Sequence, residues 1–280
     1  MPLTATAATG PLPAVGEILR NWRSRRRRSQ LDLALDVGVS TRHLSCIETG
    51  RARPSPAMLD ALAGALDVPL RERNHLLLAA GYAPRYAERT LDDTGMQQVR
   101  SALERLLQAH APNPGLVLDR QWNVVLANRT ALALAGLLPA ELLQPGFNVF
   151  RASLHPQGLA AFTENFAEWA GVLLHTLRRG IAATGDASLL QLEREVLAYP
   201  NVAALVNAHP ADRVPDTPLL VPCVLRLPHL QDSRLSMFTT LTTFGTPRDI
   251  TLDELSIELF YPADAASEAL LRTLHAQAPG

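Results

Sequence analysis

The side chains with the most specific chemistry lie together on one predicted helix, residues 41–48. The face opposite the apolar Leu44 and Ile47 carries hydroxyl, guanidinium and thiol groups, which can form hydrogen bonds with base edges in the major groove of DNA. The guanidinium of Arg42 fits guanine O6 and N7, a contact worth about 1–3 kcal/mol of discrimination between bases. The candidate base-reading residues are Ser40, Thr41, Arg42, His43, Ser45 and Cys46.

Other groups near this helix are placed to contact phosphates. Ser29 and Gln30 stand at the start of the preceding predicted helix, where side-chain and backbone N–H groups can hold a phosphate. Arg51 and Arg53 follow the helix directly. The run Arg25–Arg28 is open to two interpretations. Either it contacts phosphates, and each contact steepens the salt dependence of binding by about one unit of slope, or it is a solvated helix end.

Five predicted helices within residues 13–81 must position these side chains. Apolar residues recur at spacings of three or four, which is typical of a helix with one buried face. Ser29, Ser40 and Ser55 each stand at the start of a predicted helix and are predicted N-caps. The sequence therefore predicts an all-α five-helix bundle in this part of the chain. The predicted ranges are 15–27, 30–37, 41–48, 56–66 and 70–80.

The second and third predicted helices form a helix-turn-helix pair. Gly38, between them, adopts the positive φ of a tight turn at low cost. In the second helix we expect Leu31, Ala34 and Leu35 to face inward. The turn and the two short helices together indicate a DNA-reading motif whose second helix enters the major groove.

Several short motifs fall at the spacing of a known family. They are Ser29-Gln30, Leu33-Ala34, Gly38-Val39-Ser40, Ile47-Glu48, Gly50-Arg51, Pro54-Ser55, Leu59 and Leu62. Through them, residues 19–69 resemble the XRE family of helix-turn-helix proteins, the Cro and phage-repressor type. The resemblance implies that Arg23 and Glu48 form a partly buried ion pair between the first and third helices, with a structural role.

The charge is distributed unevenly. Residues 1–90 hold 13 of the 26 basic residues and 8 of the 27 acidic ones, which makes this part +5. The remaining 13 basic and 19 acidic residues make the rest −6. A basic front half joined to an acidic back half indicates that the front half meets a polyanion.

The chain changes character after residues 82–95, a polar segment and predicted linker. Helical periodicity and β-type runs alternate over residues 96–264, which predicts an α+β domain. Residues 1–12 are a predicted flexible tail, and residues 265–280 a predicted C-terminal tail or helix. The predicted helices here are 96–109 and 129–138, with helical periodicity over 158–199, and the predicted strands are 116–118, 124–126, 219–227, 235–244 and 255–261.

Three groups of residues in this second domain match a known pattern. They are Pro114–Asp119 with Trp122 and Asn128, Asn148–Pro156, and Thr243–Asp249 with Glu254, Glu258 and Phe260–Asp264. The first group resembles the opening of a PAS-like domain. More specifically, residues 96–262 resemble the ligand-binding domain of MmyB-like regulators. That resemblance implies a half-open sheet covered by helices around an apolar cavity, which accepts fatty-acid-like ligands.

The aromatic residues of this domain offer apolar walls to such a ligand. The candidate ligand-binding residues are Trp122, Asn128, Phe162, Phe166, Trp169, Leu173, Phe238 and Phe260. The alternative interpretation, in which these side chains fill a solid core, stays equally open. A ligand carboxylate could be held by Arg120, Asn128, His155 or Arg226, and the sequence does not choose among them.

Several classes of protein find no support in the sequence. We find no nucleophile elbow, phosphate-cradling Gly-rich loop or His-Glu-Xaa-Xaa-His motif, and the eight His are scattered. We therefore expect neither an enzyme nor a metal site, although a haem-binding PAS variant stays open. With only Cys46 and Cys223, a disulfide framework is not expected. Cys46 is either a redox switch or a small residue tolerated in a groove.

No apolar run approaches the ~20 residues that span a membrane, and no signal sequence is recognisable. We expect a cytoplasmic homodimer that binds an inverted repeat in double-stranded DNA, without a membrane partner. We further expect a regulator of transcription, a repressor, controlled by a small apolar ligand such as a fatty acid and needing no other cofactor. The alternatives are an antitoxin-like protein whose C-terminal domain binds another protein, and an enzyme that controls its own operon.

Overall fold

The computed structural model describes residues 14–144, 146–208, 220–230 and 232–278. They form two compact units. The first holds the residues up to Glu88 with Arg248–Asp253, and the second holds Arg89–Pro247 with the residues from Glu254 onward. The predicted tail at residues 1–12 lies outside the described residues. Within the ranges above, no helix is both long and apolar enough to span a membrane.

The first unit is all-α. The hydroxyls of Ser29, Ser40 and Ser55 each accept a hydrogen bond from the backbone N–H three residues later, so all three predicted N-caps are confirmed. At Ser29 the Asp32 carboxylate accepts from the Ser29 N–H in return, which completes a capping box. The helices are α1 (Val15–Arg25), α2 (Gln30–Asp36), α3 (Thr41–Glu48), α4 (Pro56–Ala65) and α5 (Leu70–Ala79).

The inward face of α2 differs from the prediction. Ala34 is buried as expected, but Leu31 is 57% exposed and Leu35 is 70% exposed. Leu33 takes the inward position beside Ala34 and is buried. Since residues two apart on a helix point about 200° away from each other, a buried Leu33 turns both Leu31 and Leu35 toward solvent.

The second unit is α+β, so the predicted fold class of the whole chain is confirmed. Its first helices and strands are α6 (Gln97–His110), β1 (Gly115–Leu118), β2 (Val124–Ala127), α7 (Arg129–Ala135), α8 (Ala140–Leu143), α9 (Val149–Leu154), α10 (Phe166–Thr184), α11 (Ala187–Leu197) and α12 (Pro200–Ala208). They are followed by β3 (Cys223–Leu227), β4 (Ser233–Thr243), β5 (Ser256–Pro262) and α14 (Ala265–Gln277). The short helix α13 (Ile250–Glu254) lies between β4 and β5 in the chain, and all of it except Glu254 belongs to the first unit.

The five strands form one antiparallel sheet in the order β2-β1-β5-β4-β3. β5 therefore lies at the centre, between β1 and β4. Side chains of β3 and β4 pack with those of α9, α10, α11 and α14 in the main core of the unit. The centre of the sheet and these helices are the elements that position the site described below.

The long helical stretch predicted at residues 158–199 is interrupted. α10 ends at Gly185, which has φ +69°, and Asp186 then caps α11 by accepting from Ser188 N at 2.7 Å. Glycine adopts this left-handed conformation without the strain that a side chain would add. The helical pattern therefore belongs to two helices, and it starts at Phe166 and not at residue 158, since the helical structure of residues 158–165 is only a short 3-10 turn at Leu159–Ala161.

A segment from the C-terminal half of the chain completes the first unit. Residues 248–253 belong to that unit, and the N–H of Ile250 donates to the carbonyl of Ala87 at 2.8 Å. The carboxylate of Asp253 accepts from the N–H of Leu70 at 2.9 Å. Leu70 begins α5, so Asp253 satisfies one of the free N–H groups at that helix end.

Candidate functional site

The N-terminal turn of α3 carries the most exposed polar groups of the predicted reading helix. Arg42 and His43 are exposed, while Thr41, Ser45 and Cys46 are half-buried. The side chain of Arg42 has no hydrogen bond or ion pair within the described part of the chain. An exposed guanidinium without a protein partner, on the first turn of a short helix, can reach the edge of a base pair.

The other end of α3 is held by a buried carboxylate. Arg23 from α1 donates two hydrogen bonds to Glu48, at 2.6 Å to Oε1 and 2.9 Å to Oε2. Gln30 from α2 donates a third, at 2.7 Å. The Glu48 side chain is fully buried. Glu48 thus ties α1, α2 and α3 together, as expected of the Arg23–Glu48 pair.

The pKa of the Glu48 carboxyl reflects two opposing effects. Burial acts to raise this pKa, since the charged form loses its hydration. The hydrogen bonds from Arg23 and Gln30, with the guanidinium charges of Arg23 and Arg20, outweigh burial and hold the pKa below its usual value. Glu48 is therefore an ionised structural group near neutral pH.

Three of the predicted phosphate-binding groups are already engaged within the protein. The Gln30 amide donates to Glu48, and the Ser29 hydroxyl lies in the capping box. Arg53 donates to the carbonyls of Ala80 and Gly81 at the end of α5, at 2.9 Å and 3.3 Å. In the structure, Arg53 therefore caps the C-terminus of α5 by donating to its free carbonyl groups.

Arg51 differs from these three groups. Its side chain is exposed and makes no hydrogen bond or ion pair with the described residues. Because it follows α3 directly, it is the phosphate-binding candidate that the structure leaves accessible.

Most of the Arg25–Arg28 run is also used internally. Arg26 donates to the carbonyls of Leu66 and Asp67 at the end of α4, each at 2.9 Å. Arg28 pairs with Asp36 of α2. Arg25 lies over the ring of Trp22. The run therefore stabilises the bundle, and its members are not equivalent as phosphate ligands.

The second unit contains an apolar cavity of about 80 Å³ between the sheet and helices α7, α9 and α10. Its polar lining groups are the side chains of Ser153, Cys223 and Glu258. Such a lining suits an apolar ligand held by few polar contacts. The apolar lining residues are Pro114, Leu116, Ala131, Leu134, Ala135, Leu138, Phe147, Val149, Ala152, Leu159, Trp169, Leu173, Leu225, Met237 and Phe260.

The structure divides the predicted ligand-binding residues into two groups. Trp169, Leu173 and Phe260 line the cavity. The other predicted residues, Trp122, Asn128, Phe162, Phe166 and Phe238, lie outside its lining. The ring of Trp122 packs edge-on against Phe150, and that of Phe238 stacks on Tyr261.

Asn128 has a structural role. Its side-chain oxygen accepts from the N–H groups of Gly115 and Ala131, and its amide donates to the carbonyls of Leu107 and Asn113. These four bonds use its hydrogen-bonding capacity. They join α6, β1 and the start of α7.

The remaining residues suggested as carboxylate anchors also lie outside the cavity lining. Arg120 pairs with Asp186 and Glu254, and Arg226 pairs with Glu164 and Asp232. His155 packs edge-on against Tyr199. None of the four suggested anchors lines the cavity, so within the described residues it contains no cation to meet a ligand carboxylate.

Sequence reasoning missed Glu258 as a site residue. In a strand, alternate residues face opposite sides, so a Glu beside the apolar Ile257 is expected to face solvent. β5 is the central strand, however, and both Ile257 and Glu258 are buried. Burial raises the pKa of the Glu258 carboxyl to about 7, against a smaller opposing effect of a hydrogen bond from Thr239.

Cys223 also lines the cavity and is buried. Burial, with a smaller contribution from the charge of Glu258, raises the pKa of its thiol to about 12. The thiol is therefore neutral near pH 7 and behaves as a small apolar group.

Comparison with known proteins agrees with this division into two parts. Residues 14–76 match the model of a helix-turn-helix domain, and residues 99–274 match that of the MmyB-like transcription regulator ligand binding domain. The second match alone covers more than half of the chain.

Two curated relatives are the Transcriptional regulator ClgR of Mycobacterium tuberculosis strains CDC 1551 / Oshkosh and ATCC 25618 / H37Rv. Each is 31% identical to this chain over 123 residues, which are 43% of this chain and 93% of the relative. With both of its parts matched in this way, the chain belongs to the MmyB-like transcription regulators, DNA-binding proteins that carry a ligand-binding domain.

Proposed function

We propose that the protein is a cytoplasmic repressor that binds an inverted repeat as a homodimer and responds to a small apolar ligand, a fatty acid or a similar molecule. It acts by binding and not by catalysis. The observation that carries the proposal is the apolar cavity, because a regulator of DNA binding needs a site for its signal and the described lining suits an apolar one.

The ligand part of the proposal is tested by extracting the purified protein with organic solvent and analysing the extract by mass spectrometry. A stoichiometric fatty acid or related lipid supports it. A protein that instead elutes with a stoichiometric protein partner and without a small molecule supports the alternative, a partner-binding regulator of the antitoxin-like type.

The dimer part follows from symmetry. A two-fold dimer binds two half-sites about 34–36 Å apart, one turn of the DNA helix. Sedimentation of the protein on a duplex selected from a random library should give two chains per site, and inserting five base pairs between the half-sites should abolish that complex. One chain per site would contradict the proposal.

Repression is tested with a reporter gene placed behind the selected site. Deleting the regulator should raise expression of the reporter. In cells that contain the regulator, adding the extracted ligand should change expression in proportion to the ligand's effect on DNA affinity. A fall in expression on deletion would identify an activator.

Arg42→Ala is expected to weaken binding of the dimer to the selected site at least about thirtyfold, because each of the two subunits loses a bidentate contact with guanine that contributes about 1–3 kcal/mol. Binding to a scrambled duplex should change little. Fluorescence anisotropy with the two duplexes measures both affinities. An equal loss on both would show that Arg42 contacts phosphate and does not read a base.

The matched control is Arg51→Ala, which removes an exposed guanidinium just beyond α3. If Arg51 contacts phosphate, both duplexes should be bound more weakly to a similar extent. The slope of log affinity against log salt concentration should also fall by about two units for the dimer, one for each subunit.

Asp253→Asn is expected to weaken the coupling between ligand and DNA. The segment 248–253 belongs to the first unit, yet the chain continues from it directly into β5, which carries the cavity residues Glu258 and Phe260. Since Asp253 satisfies the N-terminus of α5, weakening that bond should loosen the connection that a ligand-induced shift of β5 would use.

The measurement is operator affinity with and without saturating extracted ligand. Asp253→Asn should reduce the ligand's effect on DNA affinity while ligand affinity stays the same, because a ligand acts only through its unequal binding to two states. Asp60→Asn is the control, since Asp60 contacts Arg85 and Tyr86 in the same unit but not residues 248–253. An unchanged ligand effect in Asp253→Asn would exclude this route.

A further inference from the structure

One acidic side chain stands in the apolar cavity without a full set of hydrogen bonds. Glu258 lines the cavity and is 7% exposed. Its Oε2 is buried and has no hydrogen-bond partner among the described residues. Buried polar atoms of folded proteins are nearly always hydrogen-bonded, so an orphaned carboxylate oxygen in a cavity calls for a partner.

The sheet fixes the position of this carboxylate. Glu258 of β5 pairs with Leu116 of β1, which also lines the cavity, so both project from the same face. On the other side, Thr239 of β4 donates a hydrogen bond to the Glu258 side chain. One hydrogen bond is thus supplied by the sheet, and Oε2 is left for something in the cavity.

The surroundings restrict what that partner can be. The titratable group that shares the cavity lining is the Cys223 thiol of β3, and α9 adds the hydroxyl of Ser153. α7 contributes only apolar side chains to the described lining, α10 contributes Leu173 and Trp169, whose indole N–H is a hydrogen-bond donor, and no Arg or His appears in the lining. When Glu258 is ionised, a partner of Oε2 must therefore be a hydrogen-bond donor that enters an environment without compensating cations.

We propose that Glu258 is the polar anchor of this cavity and that it selects an alkyl ligand with an uncharged hydrogen-bond-donating head, a fatty alcohol in preference to a fatty acid. This rests on the proposed function as a sensor of apolar ligands and names the head group of the ligand. A carboxylate head would bring a second negative charge beside Glu258. An ammonium head would lose its hydration in an apolar site for a single partner.

The test uses three ligands with the same tail: 1-octanol, octanoate and octylamine. Their affinities for the full-length protein are measured by calorimetry at pH 8, where the Glu258 carboxyl is mostly ionised. Octanol is expected to bind at least about tenfold more tightly than octanoate or octylamine, the factor that one net hydrogen bond of about 1.4 kcal/mol provides.

Variants separate the anchor from a general effect of the cavity. Glu258→Gln supplies an amide that can donate to a carboxylate, so octanoate should gain affinity and the preference for octanol should narrow. Ser153→Ala, which removes the other oxygen-bearing side chain of the described lining, should leave that preference unchanged. If Ser153→Ala abolishes it and Glu258→Gln does not, the anchor is misassigned.

The wild-type protein gives a second measurement, should Glu258→Gln fail to fold. At pH 6 the neutral Glu258 carboxyl can donate to octanoate, so the preference for octanol should narrow, while the octanoate itself stays ionised. Three ligands that bind equally at both pH values would overturn the anchor and leave the apolar-ligand function standing. If none of the three binds, both proposals fail.

Discussion

Arg23→Met is expected to destabilise the first unit by about 3 kcal/mol at pH 7.5. The substitution leaves Glu48, whose side chain is fully buried, without its main partner, and removing one member of a buried ion pair costs about 3–5 kcal/mol. We expect the lower end of that range, because Gln30 still donates to Glu48 and Arg20 lies 3.7 Å from it. Met retains much of the apolar volume of the Arg stem.

The pH dependence of this loss distinguishes an unpaired charge from lost packing. In the wild type the depressed pKa of Glu48 contributes stability above its usual value of 4.5, which is lost as the pH falls through the folded-state pKa. Without Arg23, burial acts with less opposition and raises that pKa. The deficit of Arg23→Met should therefore shrink between pH 7.5 and pH 5.

Urea unfolding of the full chain at both pH values, with hydrogen exchange in α3 to assign the transition, measures the deficit. Arg28→Met is the matched control, since it breaks an exposed ion pair between an Arg of the Arg25–Arg28 run and Asp36, the last residue of α2. Its effect should be smaller and nearly independent of pH. A deficit of Arg23→Met that stays constant with pH would mean that lost packing, and not the charge of Glu48, accounts for it.

The helix boundaries of the first unit could be predicted because their causes are local. A Ser hydroxyl caps the N–H three residues later whatever surrounds the helix, and Ser29, Ser40 and Ser55 all do so. Which way a two-turn helix faces is not local. α2 buries Leu33 and exposes Leu35, and the sequence contains Leu at both positions.

The site depends on contacts between distant parts of the chain, which composition does not reveal. The sequence predicts Arg53 as a phosphate ligand, but its guanidinium donates hydrogen bonds to backbone carbonyls at the end of α5. Trp169 and Phe260 are cavity residues, whereas Phe238 stacks outside the cavity lining. Phe238 and Phe260 both lie on strands, where an aromatic side chain can line a cavity or pack elsewhere, and the arrangement of the assembled sheet determines which of them lines it.

The burial of Glu258 could not be predicted from the sequence either, because a Glu in a strand ordinarily faces solvent. Its burial requires that β5 be the central strand, with helices over the face that Glu258 occupies. Strand order in an antiparallel sheet depends on pairings between residues far apart in the chain, such as Leu116 with Glu258. A stripe of apolar residues therefore predicts the core, but not the carboxyl of Glu258 inside it.

Glu258→Gln is expected to stabilise the second unit at pH 8 by about 3 kcal/mol and to have little effect near pH 4.5. The folded-state pKa of about 7 lies above the ordinary value of 4.5. Between these values the native state binds a proton that the unfolded state does not, so the free energy of unfolding falls as the pH rises, by about 1.4 kcal/mol per pH unit. Above pH 7 the native state contains a buried carboxylate, and the whole free-energy cost of burying its charge lowers the stability of the wild type. The amide of Gln does not ionise, so the variant does not have this cost.

The measured quantity is the difference in free energy of unfolding between Glu258→Gln and the wild type, followed by urea unfolding from pH 4.5 to pH 8. Taking the difference removes the contributions of all other titrating groups that the two proteins share. Hydrogen exchange of the β5 amides assigns the transition to the second unit. Glu141→Gln, an exposed carboxyl on α8, should show no such trend. If the Glu258 difference is flat across this range, the carboxyl has found a donor or a route to solvent in the native state, and the anchor proposed for the cavity loses its unsatisfied oxygen.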